Sequence, residues 1–292
     1  MIHSEKLLQA TNYTLTVTTN PSSATCQLYY DGQWHTEKSC TVPAGTSVSY
    51  SLYSSSYPSA TSGTGTVTMD KNKTLSATVS SSSSSSKTFN TSYYTNSGVT
   101  VSSSWYASGF SDSNYIRTSS YAGSLLDKSN WTFHVDYTCS NVATTTRQVV
   151  MGYSYIASHQ YYHMLIFIFK SKIYFEICNT STGAYYIAIS TSTSDGWQTA
   201  DIGYDGSSYF AKYNGSSVAT KSSTGKVNIG NFPICIGSCN KTSNGSSSYS
   251  NLWPATDCTI DLNYTYIKSG SNYYYPVTTT TSYSYYWSKT VS

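Results

Sequence analysis

The sequence has few charged residues and few of the residues that favour helices. Only 10% of its 292 residues are Asp, Glu, Lys or Arg, and only three are Glu. Ser, Thr, Tyr and Gly dominate instead, with 31 tyrosines. Thr and Tyr favour strands, whereas Ala, Leu, Glu and Lys favour helices. The composition therefore predicts an all-β protein, and the length is enough for two domains.

Two further absences exclude whole classes of function. The net charge is +3, but Lys and Arg are scattered, so the electrostatic footprint of nucleic-acid binding is missing. The longest apolar run, residues 164–169, is far too short to span a bilayer. Residues 1–11, the predicted N-terminal leader, lack the pattern of a signal peptide. These features fit a virion surface protein released by lysis, or an extracellular or cell-surface protein whose leader was removed.

Cysteine occurs in an odd number, so the seven cysteines cannot all pair within one chain. Cys26 is in phase with Leu28 on a predicted strand and is expected to be a small buried residue. Cys235 and Cys239 lack the further ligands nearby that a zinc site needs. One disulfide stays open as an alternative, without an assigned pairing, and no cofactor is predicted.

Residues 12–79 alternate apolar and polar side chains over several short stretches. Each stretch puts its apolar residues on one face, which is typical of antiparallel sheets packed on one side: YTLTVTT, TCQLYY, SVSYSLY and TLSATV. The succession LTVTTNPSSATCQLYYDGQ, TVPAGTSVSYSL and GTVTMDKNKTLSATV resembles a PEGA-type, immunoglobulin-like module. That resemblance implies a small, non-catalytic β-sandwich that serves as a spacer on surface proteins.

A run of seven serines opens the next segment, residues 80–87. Such a run buries nothing apolar, so we expect a flexible Ser-rich linker. At the other end, residues 277–292 form a polar and aromatic tail, which is expected either to add a strand or to dock on a partner chain.

Residues 88–276 contain a second series of strand patterns. The run SNWTFHVDYT, GWQTADIGYDGSSYFAKYNGSSV, NFPICIG and CTIDLNYTYIKSGSNYYYP resembles a concanavalin A-like (laminin G-like) jelly roll, of the kind seen in bacteriophage tail and adhesin proteins. The resemblance implies two stacked antiparallel sheets that often bind glycans. Residues 164–169 are apolar at every position, which indicates a central strand buried on both faces. Tyr273 and Tyr275 should share one side, and we expect this pair in the core, with Tyr274 on the other side.

The sequence does not favour catalysis. Retaining glycoside hydrolases need two carboxylates about 5 Å apart, and hydrolases of this fold carry them as Glu-x-Asp-x-x-Glu, which is missing here. His159 and His163 flank a Tyr pair and could serve a lyase as base and acid, but satisfied polar residues at a hairpin are the preferred interpretation. Calcium stays an open alternative for this fold, and the metal content is unknown.

Binding of carbohydrate is the preferred hypothesis, because sugars stack their C–H faces on aromatic rings and need polar partners for their hydroxyl groups. The candidate ligand-binding residues lie on predicted loops, turns or the long segment 238–257: Tyr153, Tyr155, Tyr161, Tyr162, Asn240 and Trp253. The predicted function is therefore non-catalytic glycan binding or adhesion, with phage receptor recognition as the preferred setting. A structural fibre, tail or decoration subunit, which could form a homo-oligomer or join other virion proteins, is the first alternative, and a polysaccharide lyase or hydrolase is the second.

Overall fold

The structure is a computed structural model that describes residues 11–126, 129–157, 160–179, 184–222, 232–241 and 250–292. Within these ranges the side chains of residues 155–157, 160–162, 179, 184–185, 240–241 and 250–252 are outside the description. The chain divides into two compact units, one reaching to Ser86 and including Thr280–Ser292, the other comprising Lys87–Thr279.

Nearly all regular structure is β, as the composition predicts. In chain order the strands are β1 (Asn12–Asn20), β2 (Thr25–Tyr30), β3 (Gln33–Thr36), β4 (Ser39–Pro43), β5 (Ser47–Tyr53), β6 (Thr64–Thr68), β7 (Lys73–Phe89), β8 (Tyr94–Ser97), β9 (Thr100–Val101), β10 (Tyr106–Ser108), β11 (Tyr115–Thr118), β12 (Trp131–Cys139), β13 (Gln148–Ala157), β14 (Gln160–Phe169), β15 (Lys172–Asn179), β16 (Ala184–Ser192), β17 (Gln198–Tyr204), β18 (Ser208–Tyr213), β19 (Ser216–Ser222), β20 (Cys235–Ile236), β21 (Cys239–Lys241), β22 (Ser250–Leu252), β23 (Cys258–Asp261), β24 (Tyr266–Ser269), β25 (Asn272–Tyr274) and β26 (Val277–Val291). The helix α1 (Ala122–Leu125) has four residues, and no described helix could cross a membrane.

The first unit is a small β-sandwich. Its two four-stranded sheets have the orders β26-β7-β1-β4 and β3-β2-β5-β6. The alternating apolar positions form the core between them, including Leu15, Leu28 and the predicted buried residue Cys26. Trp287 of β26 belongs to the same core and is only 2% exposed, so residues 280–292 are part of this unit.

The predicted flexible linker is instead part of a strand, so this prediction is wrong for the serine run. Residues 80–86 lie inside β7, which pairs with β26. A serine run has no apolar face to bury, but strand pairing needs only backbone groups, and β26 supplies their partners. The side chains add cross-strand contacts, such as the 3.3 Å contact between the hydroxyl groups of Ser85 and Thr281. Of the two expectations for residues 277–292, the structure shows the added strand.

The second unit is a larger β-sandwich. One sheet follows the order β19-β18-β17-β12-β23-β10-β9, with β24 paired to β12 and β25 paired to β24. The other follows β16-β15-β14-β13-β20-β11-β8. Inward-facing residues of both sheets, such as Phe133 and Phe175, make one hydrophobic core. The predicted all-β sandwich class is therefore confirmed.

The predicted central strand is also present, and a tight turn follows it. Lys170 and Ser171 connect β14 to β15 with φ of 50° and 59°, the left-handed pair that two-residue hairpins prefer. Strand β14 is buried on both faces, as residues 164–169 indicate. Met164, Ile166 and Ile168 join the main core, whereas Leu165 and Phe167 join a second cluster with Cys239. Trp253 packs against that second cluster.

Candidate functional site

The outer face of the larger sheet of the second unit carries a row of polar and aromatic side chains. Strand β12 alternates strictly, so that Phe133 and Val135 point into the core while His134 points away from it. Antiparallel pairing places His134 opposite Asp201 of β17 on one side and opposite Tyr266 of β24 on the other. Residues from three different strands therefore meet on one surface, although they are far apart in the sequence.

These strands border a groove with a volume of about 410 Å³. Its lining combines aromatic rings, hydroxyl and amide groups, and charges of both signs: Asn130, Thr132, Asp201, Asp205, Phe210, Lys212, Ser217, Thr220, Tyr266, Lys268 and Tyr273. This set of side chains can offer stacking surfaces and hydrogen bonds to a polar ligand.

Three tyrosines form an aromatic cluster at the β24–β25 side of the groove. The ring of Tyr266 is 5.2 Å from the ring of Tyr273 and 5.3 Å from that of Tyr275. Tyr273 remains 51% exposed, so much of its ring is available to solvent or ligand. Tyr274 turns to the opposite side and packs on the core. The predicted alternation is thus confirmed, but the expected core position of the pair is wrong, because the outer face of the sheet takes Tyr273 and the inner side takes Tyr274.

His134 and Asp201 are in contact on the outer face of the sheet, and Asp201 lines the groove. The His134 Nδ1 atom is 2.7 Å from Asp201 Oδ1, and both side chains are largely shielded from water. The imidazole also stacks on Tyr266, with 4.7 Å between ring centres and 15° between planes. Burial, followed by the negative charge of Asp201, raises the pKa of Tyr266 to about 12. Tyr266 therefore keeps its proton at neutral pH.

The charges of the groove are unequally compensated. Asp205 accepts hydrogen bonds from the backbone N–H groups of Ser207 and Ser208 at 2.9 Å and 2.8 Å, and these bonds lower its pKa. Asp201 has its partner in His134. By contrast, neither Lys212 nor Lys268 has a carboxylate within 4.0 Å among the described residues. Both ammonium groups lie near rings instead, 5.4 Å from the centre of Phe210 and 5.8 Å from that of Tyr273.

A second, more open groove of about 490 Å³ shares Tyr273 with the first. Tyr93, Tyr275, Asn90 and Asn263 also line it. Tyr273 therefore stands between two neighbouring concave surfaces of the same unit.

Neither of the two sequence-predicted binding residues whose side chains the structure describes lines this groove. Tyr153 lies on β13 and is fully buried in the main core, so its predicted role in ligand binding is wrong; the loop expected there is a central strand. Trp253 is partly buried and contacts the Arg147 guanidinium, which lies 4.7 Å from its ring centre. Trp253 thus packs over the base of its segment.

The remaining predicted residues are described through their backbones only. Tyr155 of β13 is the register partner of Tyr162 of β14, and Tyr161 lies beside Tyr162 on the same strand. Asn240 lies in β21 opposite Asn251. The side chains of all four predicted residues are outside the described part, so their role in binding stays a prediction.

The candidate histidines have separate positions. His163 Nε2 lies 3.1 Å from Glu176 Oε2, and both side chains are mostly buried. The interpretation of His163 as a satisfied polar residue stays a prediction, and His159 lies outside the described residues. Within the described part of the chain, no group of three or more His, Cys, Asp or Glu residues could hold a metal ion.

The sequence contained a signal for the observed groove. The outward positions of WTFHVDY and WQTADIG, together with TYIKSGSNYYYP, are the polar and aromatic members of otherwise apolar strands. Which outward positions become neighbours depends on strand order, and β12 pairs with β24 across more than 120 residues of sequence.

The sequence matches no protein-family model and no curated protein. Among solved structures, the chain is similar to the binding domain of botulinum neurotoxin DC in complex with SialylT, with 10% identity and a TM-score of 0.42 over 63% of this chain and 42% of that one. It is also similar to the same domain in complex with rat synaptotagmin II, with 11% identity, a TM-score of 0.41 and coverage of 63% and 43%. A third similar structure is the botulinum neurotoxin serotype G binding domain, with 10% identity, a TM-score of 0.40 and the same coverage. The chain thus spans less than half the length of these proteins.

Proposed function

We propose that the second unit binds carbohydrate, without a catalytic step, in the groove between β18 and β25. The observation that carries this proposal is the exposed ring of Tyr273, which stands beside Tyr266 in a groove rich in hydroxyl, amide and carboxylate groups. An exposed aromatic face matches the C–H face of a sugar, and the surrounding polar groups match its hydroxyls.

The second groove favours a ligand of several sugar units. Tyr273 borders both grooves, and Tyr275, Asn90 and Asn263 continue the aromatic and amide lining beyond it. A single sugar would use one groove, whereas an oligosaccharide would pass over Tyr273 and contact both. Glycans on cell or mucosal surfaces have this extended form.

The charge of the first groove favours a glycan with an acidic group. Asp201 and Asp205 already have partners, whereas Lys212 and Lys268 have no carboxylate partner among the described residues. A sugar carboxylate or sulfate would pair with the Lys268 ammonium group, whereas Lys212 lies opposite Asp201 in the register of β17 and β18. Host-receptor recognition by a virion or cell-surface adhesin is the setting that we propose for such a site, following the resemblance to phage adhesin domains.

A glycan array with the full chain, followed by titration calorimetry with the best-bound oligosaccharide, tests this function. Tyr273→Ala should weaken binding at least about tenfold, which corresponds to roughly 1.4 kcal/mol. Tyr264→Ala is the matched control, because Tyr264 is also highly exposed, at 62%, but does not line either groove. Lys268→Gln should weaken binding of acidic glycans and reduce its dependence on salt, with little effect on neutral ones.

The array also tests the structural alternative. Strand β26 ends its sheet and carries Tyr283, which is 62% exposed, and such an edge can pair with a second chain. Failure of every glycan to bind, together with a stable homo-oligomer in light scattering, would replace the binding function by that of a fibre, tail or decoration subunit. Equal losses for Tyr273→Ala and Tyr264→Ala would also contradict the proposed site.

A further inference from the structure

Two of the seven cysteines face each other across a pair of strands. Cys139 is the last residue of β12, Cys258 is the first residue of β23, and the antiparallel register makes them direct partners. Both side chains are 2% exposed and belong to the main core of the second unit, so they lie on the same, inner face of the sheet.

The backbone hydrogen bonds identify the type of this residue pair. Ser140 N–H donates to Asp257 O at 2.9 Å, one position outside the pair, and Cys258 N–H donates to Ala255 O at 3.1 Å rather than to Cys139. This pattern is that of a non-hydrogen-bonded antiparallel pair, in which Cα atoms are about 4.5 Å apart and side chains approach most closely. A disulfide accepts Cα separations of about 4.4–6.8 Å. The backbone can therefore accommodate a bond between the two sulfur atoms.

The side chains agree with the backbone. The Cys258 thiol is the main cause that lowers the pKa of the Cys139 thiol, which agrees with two neighbouring sulfur groups. The Cys258 Sγ atom also lies 3.6 Å from Gln148 Oε1.

None of the other five cysteines faces a cysteine in the registers of the described strands. In the registers of the described strands, Cys26 faces Leu52, Cys40 faces Leu15, and Cys239 faces Leu252. Cys178 faces His163 and Tyr185, and Cys235 faces Arg117 and Gly152. The odd cysteine count is therefore compatible with one cross-strand pair.

We infer that Cys139 and Cys258 form a disulfide when the chain folds in the presence of a disulfide oxidant such as oxidised glutathione. One cysteine thiolate attacks the oxidised glutathione, forms a mixed disulfide and releases one reduced glutathione. The second cysteine, after losing its proton, displaces the second glutathione and closes the bond. Two protein thiols are oxidised to one disulfide and one glutathione disulfide is reduced to two thiols. Because the pair is buried in the folded unit, the exchange takes place during folding or transient opening.

Thiol mapping of the full chain tests this inference. The unfolded, reduced chain is refolded in a buffer of oxidised and reduced glutathione, denatured with iodoacetamide present, and digested for mass spectrometry. The expected result is a linked pair of peptides that contain Cys139 and Cys258, with the other five cysteines alkylated. The urea midpoint of the oxidised chain should also exceed that of the reduced chain, because the bond restricts the unfolded state.

Cys258→Ser and Cys26→Ser serve as a matched pair of variants. Both replace a buried cysteine, but only Cys258→Ser should abolish the link and the rise in the urea midpoint on oxidation. Alkylation of all seven cysteines in the refolded wild-type chain, or a link between any other two, would overturn the inference. The wild-type map decides the question even if Cys258→Ser does not fold, and neither result depends on glycan binding.

Discussion

Gly203 shapes the floor of the groove at the scale of a single residue. It pairs with Phe210 on one side and Thr132 on the other. A Cβ atom at this position would lie 2.7 Å from the Phe210 ring and 2.4 Å from the Trp131 carbonyl oxygen. The missing side chain therefore allows the Phe210 ring to lie close against β17, next to the point where we expect a sugar to bind.

The contact between His163 and Glu176 gives a prediction at the same scale. Glu176→Ala removes the carboxylate from a mostly buried contact, and we expect a loss of about 1–3 kcal/mol in the free energy of unfolding. Glu176→Gln is the control, because its side-chain carbonyl can still accept a hydrogen bond, and it should lose less. Urea unfolding measures both.

The same variants test whether His163 acts in catalysis. With a structural role, Glu176→Ala lowers stability and leaves glycan affinity unchanged, because neither residue lines the groove. The structural role would be contradicted if the wild-type chain cleaved a polysaccharide and the Glu176→Ala variant, although folded under the same conditions, did not.

Strand β7 shows at the scale of an element how composition misleads. A serine run is typical of linkers, because it cannot contribute a hydrophobic face. Pairing with β26, which begins about 190 residues later, is a long-range contact that no local pattern in the run encodes.

Proline substitution distinguishes a paired strand from a flexible linker. Successive N–H groups of a strand point to opposite edges, so one of Ser82→Pro and Ser83→Pro removes a bond to β26 and the other does not. The variant that removes the bond should lose roughly 1–3 kcal/mol in the free energy of unfolding, and the other variant serves as its control. Hydrogen exchange of the β26 amides and urea unfolding measure the difference, and equal, negligible effects of both prolines would support a flexible segment.

The elements also explain how far the sequence predicts the fold and the site. Sequence patterns predicted the one-sided strands of residues 12–79 and the doubly buried strand at residues 164–169, because both depend on near neighbours in the chain. The candidate site was not predicted, because aromatic residues expected on loops, such as Tyr153, were the candidates, whereas Phe210, Tyr266 and Tyr273 of the groove lie on strands. Their convergence depends on sheet order, which the pattern of single strands does not contain.

Alkaline pH should destabilise the molecule as a whole. Burial raises the pKa of Tyr94 and Tyr137, and it raises that of Tyr266 to about 12, compared with about 10 in an unfolded chain. The folded state holds these phenol protons more tightly than the unfolded state. The contribution of these tyrosines to the free energy of unfolding is therefore complete below pH of about 10 and is lost as the pH rises toward 12. Urea midpoints at neutral pH and at about pH 11 should show the decrease.

Tyrosinate absorbance provides the matching control for this pH effect. Exposed tyrosines should ionise first, whereas the buried ones should ionise together with unfolding. A Tyr137→Phe variant lacks one of the tyrosines whose pKa is raised. Its stability should therefore fall less steeply between neutral and alkaline pH. A urea midpoint that does not change between neutral and alkaline pH would contradict the assignment of these three residues.

The position of Trp287 in the first core has a consequence for synthesis on the ribosome. The early residues of that unit are complete long before β26, which follows after about 190 further residues, or on the order of 10–40 s of translation. During this interval the N-terminal sheets lack both a flanking strand and the indole that fills their interior. The unit encoded first is therefore the one that finishes folding last, and a nascent chain stalled before β26 would expose an apolar cleft that chaperones could recognise.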